Sequence, residues 1–554
     1  MKKFIPKKIA LSLLLLLAMA ITLLSFQPRN DKLFNIAKNL DIFASLVREL
    51  DSYYVDEINP DELVTVGINA MLAELDPYTE YIPEEDSDEF RMMTTGEYGG
   101  VGALIGNRTG KNMILMPYTG FPAQESGLKV ADELLKVDGV DVVDKNTAEI
   151  SSLLKGPANT EVEVVVKRGE QTLSFDLTRK KIVISNVPYE GMVDEETGYI
   201  KLTDFTTNAA NEVARSLEHL EMMGAKKIIL DVRDNPGGIL TEAVGIVNLF
   251  IPKGREVVRT VGKLENVNAE YKTRNSPKNK NIPLVVMINE RSASASEIVA
   301  GALQDYDRAV LVGRKSFGKG LVQSTVPLSY NSQVKLTTAK YYIPSGRCIQ
   351  EIDYSEKDEN GNGSYVADSL RKEFKTRNGR TVYDGAGIEP DIDLEPRSFA
   401  PITYSLVTRS LIFDFASEYA MKYENIPAAR QFEVSDELYG EFVAWLQDKE
   451  YDYTTRVEKT IEDLEKYAEK EKYFEDIKGD LASLKKSVSH SKEQDLISFK
   501  DEIKNALKDE IVSRYYYQEG LIAASLEHDP ELLRAVEVLG DMDRYEQILS
   551  PARD

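Results

Sequence analysis

The 554-residue sequence has very little cysteine and histidine: one cysteine, Cys348, and three histidines, His219, His490 and His528. A single cysteine excludes an intramolecular disulfide, and no Cys or His spacing fits a zinc or iron-sulfur site. We therefore predict that the protein uses no metal or other cofactor. Packed apolar cores, not covalent links, are expected to stabilise it.

Basic residues are scarce as well, with 68 Lys and Arg against 92 Asp and Glu and a formal net charge of -24. Binding of nucleic-acid phosphates requires clustered Lys and Arg, so this balance argues against a nucleic-acid partner. A hydrophobic share of 42% with 29% charged residues is typical of globular proteins. Several domains are expected, since a single hydrophobic core stops growing at about 250–300 residues.

An uninterrupted apolar or weakly polar run, residues 9–26, follows four lysines within the first eight residues. Such a segment enters a membrane. Its length lies between that of a signal-peptide core and that of a spanning helix, and no clear cleavage site follows. Residues 1–30 are therefore predicted to be a signal anchor or a signal peptide, with the uncleaved anchor favoured. The positive-inside rule then places the remainder of the chain outside the cytoplasm.

Changes in residue pattern divide the remainder into four segments. Residues 31–95 have helical periodicity, and the Asn59-Pro60 pair predicts a helix start. Residues 96–182 have Gly-rich turns between short β-type runs, which predicts a mostly β module. Residues 183–397 alternate apolar strand-like runs with helical ones, which predicts an α/β domain. Residues 398–554 are charged and helical with apolar stripes, and their role stays open.

Within the β module, Tyr98-Gly99-Gly100-Val101-Gly102 resembles the carboxylate-binding loop of PDZ domains, and residues 122–139 resemble their central segment. Consecutive backbone N–H groups, accessible because glycine leaves room, could hold a peptide C-terminus while the peptide adds a strand to a sheet edge. From the loop alone, glycines that only make tight turns are an equal alternative. The downstream segment favours a PDZ domain, although Ala131 stands where that family usually has glycine.

A serine-rich segment, residues 292–297 with the sequence Ser-Ala-Ser-Ala-Ser-Glu, lies between a predicted strand and a predicted helix that runs towards Asp305. A hydroxyl at the positive end of a helix suits a nucleophile, because the helix N-terminus favours the negative charge of acyl transfer. However, Ser294-x-x-Glu297 is also a capping box. This segment alone favours the capping role.

A nucleophilic serine needs a base, and the histidines do not supply one. They lie on a predicted helix ahead of the central strand and in the C-terminal helices, which argues against a Ser-His-Asp triad. Lys319 is the remaining candidate, because the glycines on both sides of it indicate close packing in an apolar setting. Burial disfavours the ammonium form. Gln323 could orient the amine by a neutral hydrogen bond.

Residues 292–297, 302–305 and 317–323 together resemble the C-terminal processing peptidases, also called tail-specific proteases. The resemblance extends from about residue 33 to residue 396. It implies that Ser294 is the nucleophile and Lys319 the general base, 25 positions apart as in the family, with Gln323 as the partner of Lys319. Ser316 replaces the usual threonine of the family and keeps the hydroxyl.

The segment from Asp231 to Gly238 also resembles that family, in the part that presents a backbone N–H to the oxyanion. The resemblance implies an oxyanion hole formed by Gly237 or Gly238 together with the N–H of Ala295. Without the family resemblance, the residues themselves favour a plain strand-to-helix turn at Gly237-Gly238 over an oxyanion hole. Glu297 and Asp305 match acidic positions of the family, and we expect both to support the geometry of the site.

Three other interpretations remain. Residues 313–319 come close to a phosphate-binding P-loop, but Gly320 stands where Ser or Thr is needed to hold magnesium. Ser316-x-x-Lys319 matches the S-x-x-K pattern, but the flanking glycines make a poor helix. A non-catalytic exported chaperone or scaffold with a PDZ domain is the serious alternative. The presence of Ser294, Lys319 and Gln323 together argues against it.

The predicted fold is a multidomain α+β protein. It has an α/β peptidase core of crotonase-like ββα units, an inserted β-rich PDZ domain, a helical N-terminal domain and a helical C-terminal extension. The predicted function is that of a serine endopeptidase in the bacterial periplasm, free or membrane-anchored. It would cleave protein substrates near their free C-termini. An adaptor protein and a homo-oligomer are compatible with the resemblance, and the sequence specifies neither.

Overall fold

The computed structural model describes residues 31–358, 361–396, 398–451, 453–488 and 492–550. The predicted membrane segment, residues 1–30, and His490 lie outside these ranges. The chain separates into two units, the first ending at Tyr81 and the second beginning at Ile82. None of the helices within the described ranges combines the length and apolarity that a bilayer span requires.

The first unit contains a helical pair, α1 (Asp31–Tyr53) and α2 (Pro60–Ala73). The predicted helix start is present, since the Asn59 side chain accepts hydrogen bonds from the first backbone N–H groups of α2. Asp76 then organises a turn, in which its carboxylate accepts from the N–H of Tyr78 and from the N–H and hydroxyl of Thr79. Strand β1 (Glu80–Ile82) leads into the second unit.

The second unit opens with α3 (Ser87–Thr95) and the predicted β module. The elements of this module are β2 (Glu97–Gly100), β3 (Ala103–Arg108), β4 (Lys111–Pro117), α4 (Pro122–Glu125), β5 (Glu133–Val137), β6 (Val140–Asp141), α5 (Thr147–Leu154), β7 (Glu161–Arg168), β8 (Gln171–Thr178) and β9 (Lys180–Val183). The main sheet has the order β3-β4-β5-β7-β8, while β2 pairs with β9. Val162, Val164 and Val166 on β7 point into the core. Strand β3 lies at the edge of the sheet, which leaves a place for an added strand.

The α/β domain follows. Its elements are β10 (Tyr189–Met192), β11 (Thr197–Lys201), α6 (Ala209–Met222), β12 (Lys227–Asp231), α7 (Leu240–Asn248), β13 (Glu256–Gly262), β14 (Ala269–Lys272), β15 (Leu284–Ile288), α8 (Ala295–Asp305), β16 (Val310–Gly313), β17 (Leu321–Pro327), β18 (Gln333–Tyr342), β19 (Ile352–Lys357), β20 (Gly363–Tyr365), β21 (Glu373–Lys375), β22 (Thr381–Tyr383) and β23 (Ile392–Asp393). The central sheet has the order β10-β11-β12-β15-β16-β23, and all its pairs except β10-β11 are parallel. Strands β17, β18, β13 and β14 pair antiparallel in that order.

The C-terminal region is helical, as predicted. Its helices are α9 (Pro401–Thr408), α10 (Leu411–Lys422), α11 (Asp436–Trp445), α12 (Arg456–Glu471), α13 (Phe474–Val488), α14 (Lys492–Ser498), α15 (Lys500–Ser525), α16 (Pro530–Gly540) and α17 (Met542–Leu549). Phe442, Ile503 and Leu507 are buried in a core of this region's own. The charged residues of α12 and α13 lie mostly on exposed faces.

Both faces of the central sheet are buried, but by different parts of the chain. Ile228, Leu230 and Val286 pack towards α6, α7 and α8. Their alternating neighbours Ile229 and Val285 pack on the other face, against apolar side chains from the end of α15 and from α16 and α17. A parallel sheet covered on both faces has nearly continuous apolar strands, which explains the runs in the sequence. The C-terminal helices therefore complete the α/β domain.

Candidate active site

Ser294 lies in the turn between β15 and α8, immediately before the first residue of the helix. Its backbone has φ +54° and ψ −109°, a conformation that residues other than glycine rarely adopt. Strained backbone of this kind persists only where the surrounding structure enforces it, and it concentrates at functional sites. The turn thus has the position and the strain expected of a nucleophile-bearing turn.

The structure distinguishes Ser294 from its two neighbouring serines. Ser292 and Ser296 are fully buried. The Ser292 hydroxyl donates to the Val232 carbonyl over 2.8 Å, and the Ser296 hydroxyl donates to the Asn235 carbonyl over 2.9 Å. Ser294 is half-buried. A nucleophile must be reached by substrate, so Ser294 is the serine of this segment that can serve, whereas the other two tie the turn to the loop after β12.

Glu297, in the first turn of α8, is fully buried and connects the Ser294 turn to the Lys319 loop. Its Oε2 accepts from the Ser294 N–H at 2.8 Å and from the Lys319 N–H at 2.9 Å. Its Oε1 accepts from the Ser316 hydroxyl at 2.5 Å and from the Gly318 N–H at 2.7 Å. The expected support role of Glu297 thus takes the form of one carboxylate that holds both segments.

Burial raises the pKa of the Glu297 carboxyl to about 7, against the opposing effect of its four hydrogen-bond donors. Every one of those partners donates. The ionised carboxylate, which only accepts, is therefore the form that satisfies all four groups. The hydrogen bonds thus favour the ionised form and burial favours the protonated form, and burial has the larger effect on the pKa.

Lys319 lies in the loop between β16 and β17 and is half-buried. The flanking glycines pack as closely as the sequence predicts. A Cβ on Gly318 would stand 2.6 Å from the Glu351 Cβ, and a Cβ on Gly320 would stand 2.8 Å from the Gln350 N. Larger residues at either position would displace the loop, so the two glycines and the Glu297 contact together fix the backbone of Lys319.

Gln323 and Asp305 occupy different surroundings. Gln323 lies on β17, the strand that leaves the Lys319 loop, and its Nε2 donates to the Thr337 hydroxyl over 3.1 Å. Asp305 is the last residue of α8, about 15 Å along the helix from its first residue. There it accepts from the Ser345 N–H and pairs with the buried Arg347. Asp305 therefore fixes the far end of α8 and does not contact the Ser294 turn.

The glycine turn after β12 lies against the Ser294 turn. A Cβ on Gly237 would stand 2.8 Å from the Ser294 Cβ and 2.9 Å from the Ala295 N, and Gly237 has φ +100°. Only glycine fits at this approach. Asn235 fastens the turn, since its carbonyl accepts from the Ala293 N–H and its side chain accepts from the Gly237 N–H over 2.9 Å.

Two backbone N–H groups face this junction, that of the exposed Gly238 and that of the buried Ala295. Within the described part of the chain, the N–H groups of Gly238 and Ala295 make no hydrogen bond. The Gly237 N–H is engaged by Asn235. Of the two glycines, Gly238 is therefore the one whose N–H group is not engaged within the described residues.

The two described histidines are occupied elsewhere. His219 on α6 pairs with Glu190 over 2.6 Å and is more than half exposed, and His528 pairs with Asp509 over 3.0 Å. Neither is hydrogen-bonded to the Ser294 turn. The described structure thus contains no serine-histidine pair at this site.

In the β module, Tyr98, Gly99 and Gly100 belong to strand β2, which pairs with β9. Val101 and Gly102 then turn the chain into the edge strand β3, and Gly102 has φ +76°. A groove lies between β3 and α5, and its lining residues are Tyr98, Val101, Ala103, Ile105, Ser151, Leu154 and Lys155. An edge strand beside a helix is the geometry into which a peptide strand can be added.

Sequence reasoning did not identify Asn235 or Tyr341 as site residues, and it noted Ser316 only as a family departure. The Tyr341 hydroxyl donates to the Ser294 carbonyl over 3.2 Å, and the Ser316 hydroxyl also accepts from the Ile388 N–H. Their contacts join segments that are distant in sequence. Asn235 stands directly before the Pro-Gly-Gly turn, which is the single local signal that could have indicated it.

Three family profiles match successive parts of the chain. Peptidase family S41 matches residues 196–358, a PDZ domain matches residues 114–168, and the profile described as "Probable PDZ-protease, C-terminal helical domain" matches residues 402–539. The match to peptidase family S41 contains the glycine turn, the Ser294 turn and the Lys319 loop. The third gives the C-terminal helices, which carry no recognisable motif, a counterpart in other PDZ-bearing proteases.

Individual proteins match over more than half of the chain. The carboxy-terminal-processing protease of Bartonella bacilliformis is 34% identical over 324 residues, which are 57% of this chain and 74% of that protein. A probable CtpA-like serine protease of Staphylococcus aureus is 33% identical over 341 residues, 60% of this chain and 68% of that protein. The solved structure of the photosystem II D1 C-terminal processing protease is 27% identical, covers 64% of this chain and 92% of its own, and has a TM-score of 0.34.

Proposed function

Because the chain belongs to the carboxy-terminal-processing serine proteases of peptidase family S41, we propose that Ser294 is its nucleophile and Lys319 its general base. We further propose that it acts outside the cytoplasm and cleaves proteins near C-termini held by the PDZ domain. The observation that carries the assignment is the shared Glu297 carboxylate. It holds the strained Ser294 turn and the Lys319 loop together from inside the core.

The proposed reaction is an acyl transfer. Neutral Lys319 takes the proton from the Ser294 hydroxyl while Oγ attacks the scissile carbonyl, and the resulting ammonium gives a proton to the departing amine. The peptide C–N bond breaks and leaves an acyl ester on Ser294. Lys319 then takes a proton from water while the water attacks the ester. As the ester C–O bond breaks, the Lys319 ammonium returns a proton to Ser294 Oγ, and the carboxylic acid and the free serine are released.

The oxyanion that forms in each step needs donors at a fixed position. We assign this role to the N–H groups of Gly238 and Ala295, with Gly237 as the small residue that lets the two turns approach. Ala295 is the first residue of α8, so the helix N-terminus adds a favourable field. Asn235 holds the glycine turn, and we assign to the Gln323 amide oxygen the role of accepting a hydrogen bond from the Lys319 amine.

The groove between β3 and α5 is the proposed holder of the substrate C-terminus. The N–H groups at Val101 and Gly102 lie where β2 turns into β3, and Lys155 stands at the same end, 5.9 Å from the Tyr98 ring centre. A peptide strand on β3 would bring its terminal carboxylate towards this cation and these N–H groups. The groove thus combines backbone hydrogen bonding with a positive charge.

Export is proposed from the basic and apolar N-terminal segment. A fusion of residues 1–40 to alkaline phosphatase tests it directly, because that enzyme is active only after export. Phosphatase activity in intact bacteria is expected, and an inactive fusion that is present in the cytoplasm would contradict export. An adaptor protein and self-association remain further proposals, to be tested by co-purification and by light scattering.

Covalent labelling tests the nucleophile. A fluorophosphonate probe is expected to add to the full-length protein once, on the peptide that contains Ser294, because the probe reacts with an activated serine hydroxyl. Lys319→Arg should slow this labelling, since arginine is not deprotonated in proteins. A probe adduct on another residue, or labelling at the wild-type rate in Lys319→Arg, would contradict the assignment.

A further inference from the structure

A single carboxylate from the C-terminal helical domain contacts both segments that form the proposed catalytic site. Glu531, near the start of α16, accepts from Arg233 through Oε2 over 2.7 Å and from Arg314 through Oε1. Its side chain is 9% exposed. Arg233 and Arg314 are 81 positions apart in sequence, and Glu531 lies more than 200 positions beyond either.

Arg233 belongs to the glycine turn. It lies between Asp231, the last residue of β12, and Asn235, whose contacts fasten that turn to the Ser294 segment. Its guanidinium also binds Asp231 over 2.6 Å and Asp529 over 2.7 Å. The guanidinium is thus held from two sides, by its own strand end and by the C-terminal domain.

Arg314 begins the loop that carries Lys319. It follows β16 directly and stands two positions before Ser316, whose hydroxyl bonds to Glu297. Its Nε donates to Glu290 over 2.7 Å. Glu531 therefore joins Arg314, at the start of the Lys319 loop, to Arg233, in the segment that ends at the proposed oxyanion glycines.

The acidic end of α16 has a fixed position. Asp529 caps the helix by accepting from the N–H groups of Glu531 and Leu532. Further along, Leu532, Ala535 and Val538 are buried against the central sheet. A carboxylate on such an element cannot follow a moving loop, so it determines where the two arginines lie.

The two arginines are mostly buried and face four carboxylates, those of Asp231, Glu290, Asp529 and Glu531. Arg233 and Arg314 are 12% and 17% exposed, and each loses a partner if Glu531 becomes neutral. A buried charge that loses its partner is costly, and the loop that carries it moves to find water or another acid. Displacement of either loop alters the spacing of the reacting groups, to which acyl transfer is sensitive.

We propose that Glu531 is a positioning residue for catalysis, so that the C-terminal helical domain sets the separation between the oxyanion glycines and Lys319. The inference rests on the proposed Ser294 and Lys319 mechanism. It gives this domain a part in the reaction as well as in the core. Glu531 acts through Arg233 and Arg314 and touches no reacting atom.

The test compares Glu531→Gln with Glu537→Gln in the full-length protein. Glu537 lies on the same helix, is 59% exposed and pairs with Arg534 and Arg544, which also belong to the C-terminal region. The readouts are kcat and KM for C-terminal truncation of an unstructured protein, followed by intact mass. For Glu531→Gln we expect kcat to fall about 10- to 100-fold with KM within twofold of wild type. Glu537→Gln should match wild type.

A double-mutant cycle with Arg314→Gln separates positioning from a general loss of packing. If Glu531 acts through Arg314, the double variant should lose little more kcat than either single variant. Multiplicative losses in the double variant, or kcat within twofold of wild type in Glu531→Gln, would overturn the inference. Should Glu531→Gln fail to fold, Glu531→Asp keeps the charge and shortens its reach. A reduced kcat in this variant supports the inference, and a wild-type kcat overturns it.

Lys319→Arg measured alongside distinguishes the two proposals. An inactive Lys319→Arg beside a fully active Glu531→Gln overturns only the role of Glu531. An active Lys319→Arg overturns the Ser/Lys mechanism, and with it the inference that depends on it.

Discussion

The backbone N–H groups of Ser294 and Lys319 donate to the same atom, Oε2 of Glu297, over 2.8 and 2.9 Å. The proposed nucleophile and the proposed base are 25 positions apart in sequence, yet they share one acceptor inside the core. Their backbone separation is therefore set by a buried carboxylate. Neither a direct contact of the two side chains nor the substrate is needed to create it.

Replacement of Glu297 by glutamine should uncouple the two segments. The amide can accept through one oxygen only, so its NH2 group would face two of the four donors that the carboxylate satisfies. For each donor that is left without an acceptor, we expect Glu297→Gln to lose about 1–3 kcal/mol of unfolding free energy. We also expect it to lose most of its truncation activity. Urea unfolding and truncation kinetics measure the two effects. Wild-type activity in a folded Glu297→Gln protein would contradict this role.

The pH dependence of stability follows from the raised pKa of Glu297. The carboxyl has a pKa of about 7 in the folded protein and about 4.5 in the unfolded chain. The folded state therefore binds more protons between these values, and the contribution of Glu297 to stability is lost as pH rises through 7. The advantage of wild type over Glu297→Gln in unfolding free energy should shrink by about 3 kcal/mol between pH 4.5 and 7.5. A difference that is constant with pH would show that the folded pKa is not raised.

Two glycines with nearly the same φ make it possible to distinguish the effect of backbone strain from that of a steric contact. Gly237 has φ +100° and no room for a Cβ beside Ser294, whereas Gly224 has φ +103° and no atom within 4 Å of an added Cβ. Both alanine variants should lose stability because left-handed backbone is unfavourable for alanine, by about 1–2 kcal/mol. Only Gly237→Ala should lose kcat, by about 100-fold or more. Equal kcat values in the two folded variants would remove Gly237 from the site.

The groove of the PDZ domain can be blocked from one helix face. Ser151 on α5 lines the groove, and Ser152 on the same helix is exposed outside it. Ser151→Trp should weaken binding of a peptide with a free C-terminus at least about tenfold, because the indole fills the space beside β3. Ser152→Trp should bind as wild type does. Fluorescence anisotropy measures both, and equal affinities would place the peptide elsewhere.

Much of the fold could be predicted because its signals are local. The apolar strand runs and the Asn59-Pro60 helix start each determine structure within a few residues. The turn before α8 was visible for the same reason. These features depend on backbone geometry and alternating burial, which a sequence displays directly.

The spacing of the three serines could not decide among them, and only the family resemblance indicated Ser294, since long-range contacts distinguish the three hydroxyls. The hydroxyls of Ser292 and Ser296 bond to carbonyls 60 and 61 positions away, and only the folded chain shows that Ser294 is the one that is not fully buried. The Arg233–Glu531 contact spans 298 positions. Charged helices such as α16 give no sign of their partner until the sheet face they cover is known.

The capping-box pattern likewise reveals the local contact of Glu297 but not its contacts with a distant loop. The spacing of Ser294 and Glu297 predicts a helix cap, and the Glu297 carboxylate does bond to the Ser294 N–H. Its bonds to Gly318 and Lys319 come from a loop more than 20 positions away. The residue that a local pattern assigns to capping is thus also the residue that joins the two halves of the site.

The most direct test of the Ser/Lys assignment is a comparison of two lysine-to-arginine variants. Lys319→Arg keeps the positive charge but removes a group that can be deprotonated, whereas Lys315→Arg in the same loop keeps the ion pair with Glu351. Each full-length variant is incubated with an unstructured protein, and C-terminal truncation is followed by intact mass. We predict that Lys319→Arg lowers the truncation rate about 100- to 10,000-fold, as Ser294→Ala does, and that Lys315→Arg keeps the wild-type rate. Truncation by Lys319→Arg at the wild-type rate would contradict the assignment of Lys319 as the general base.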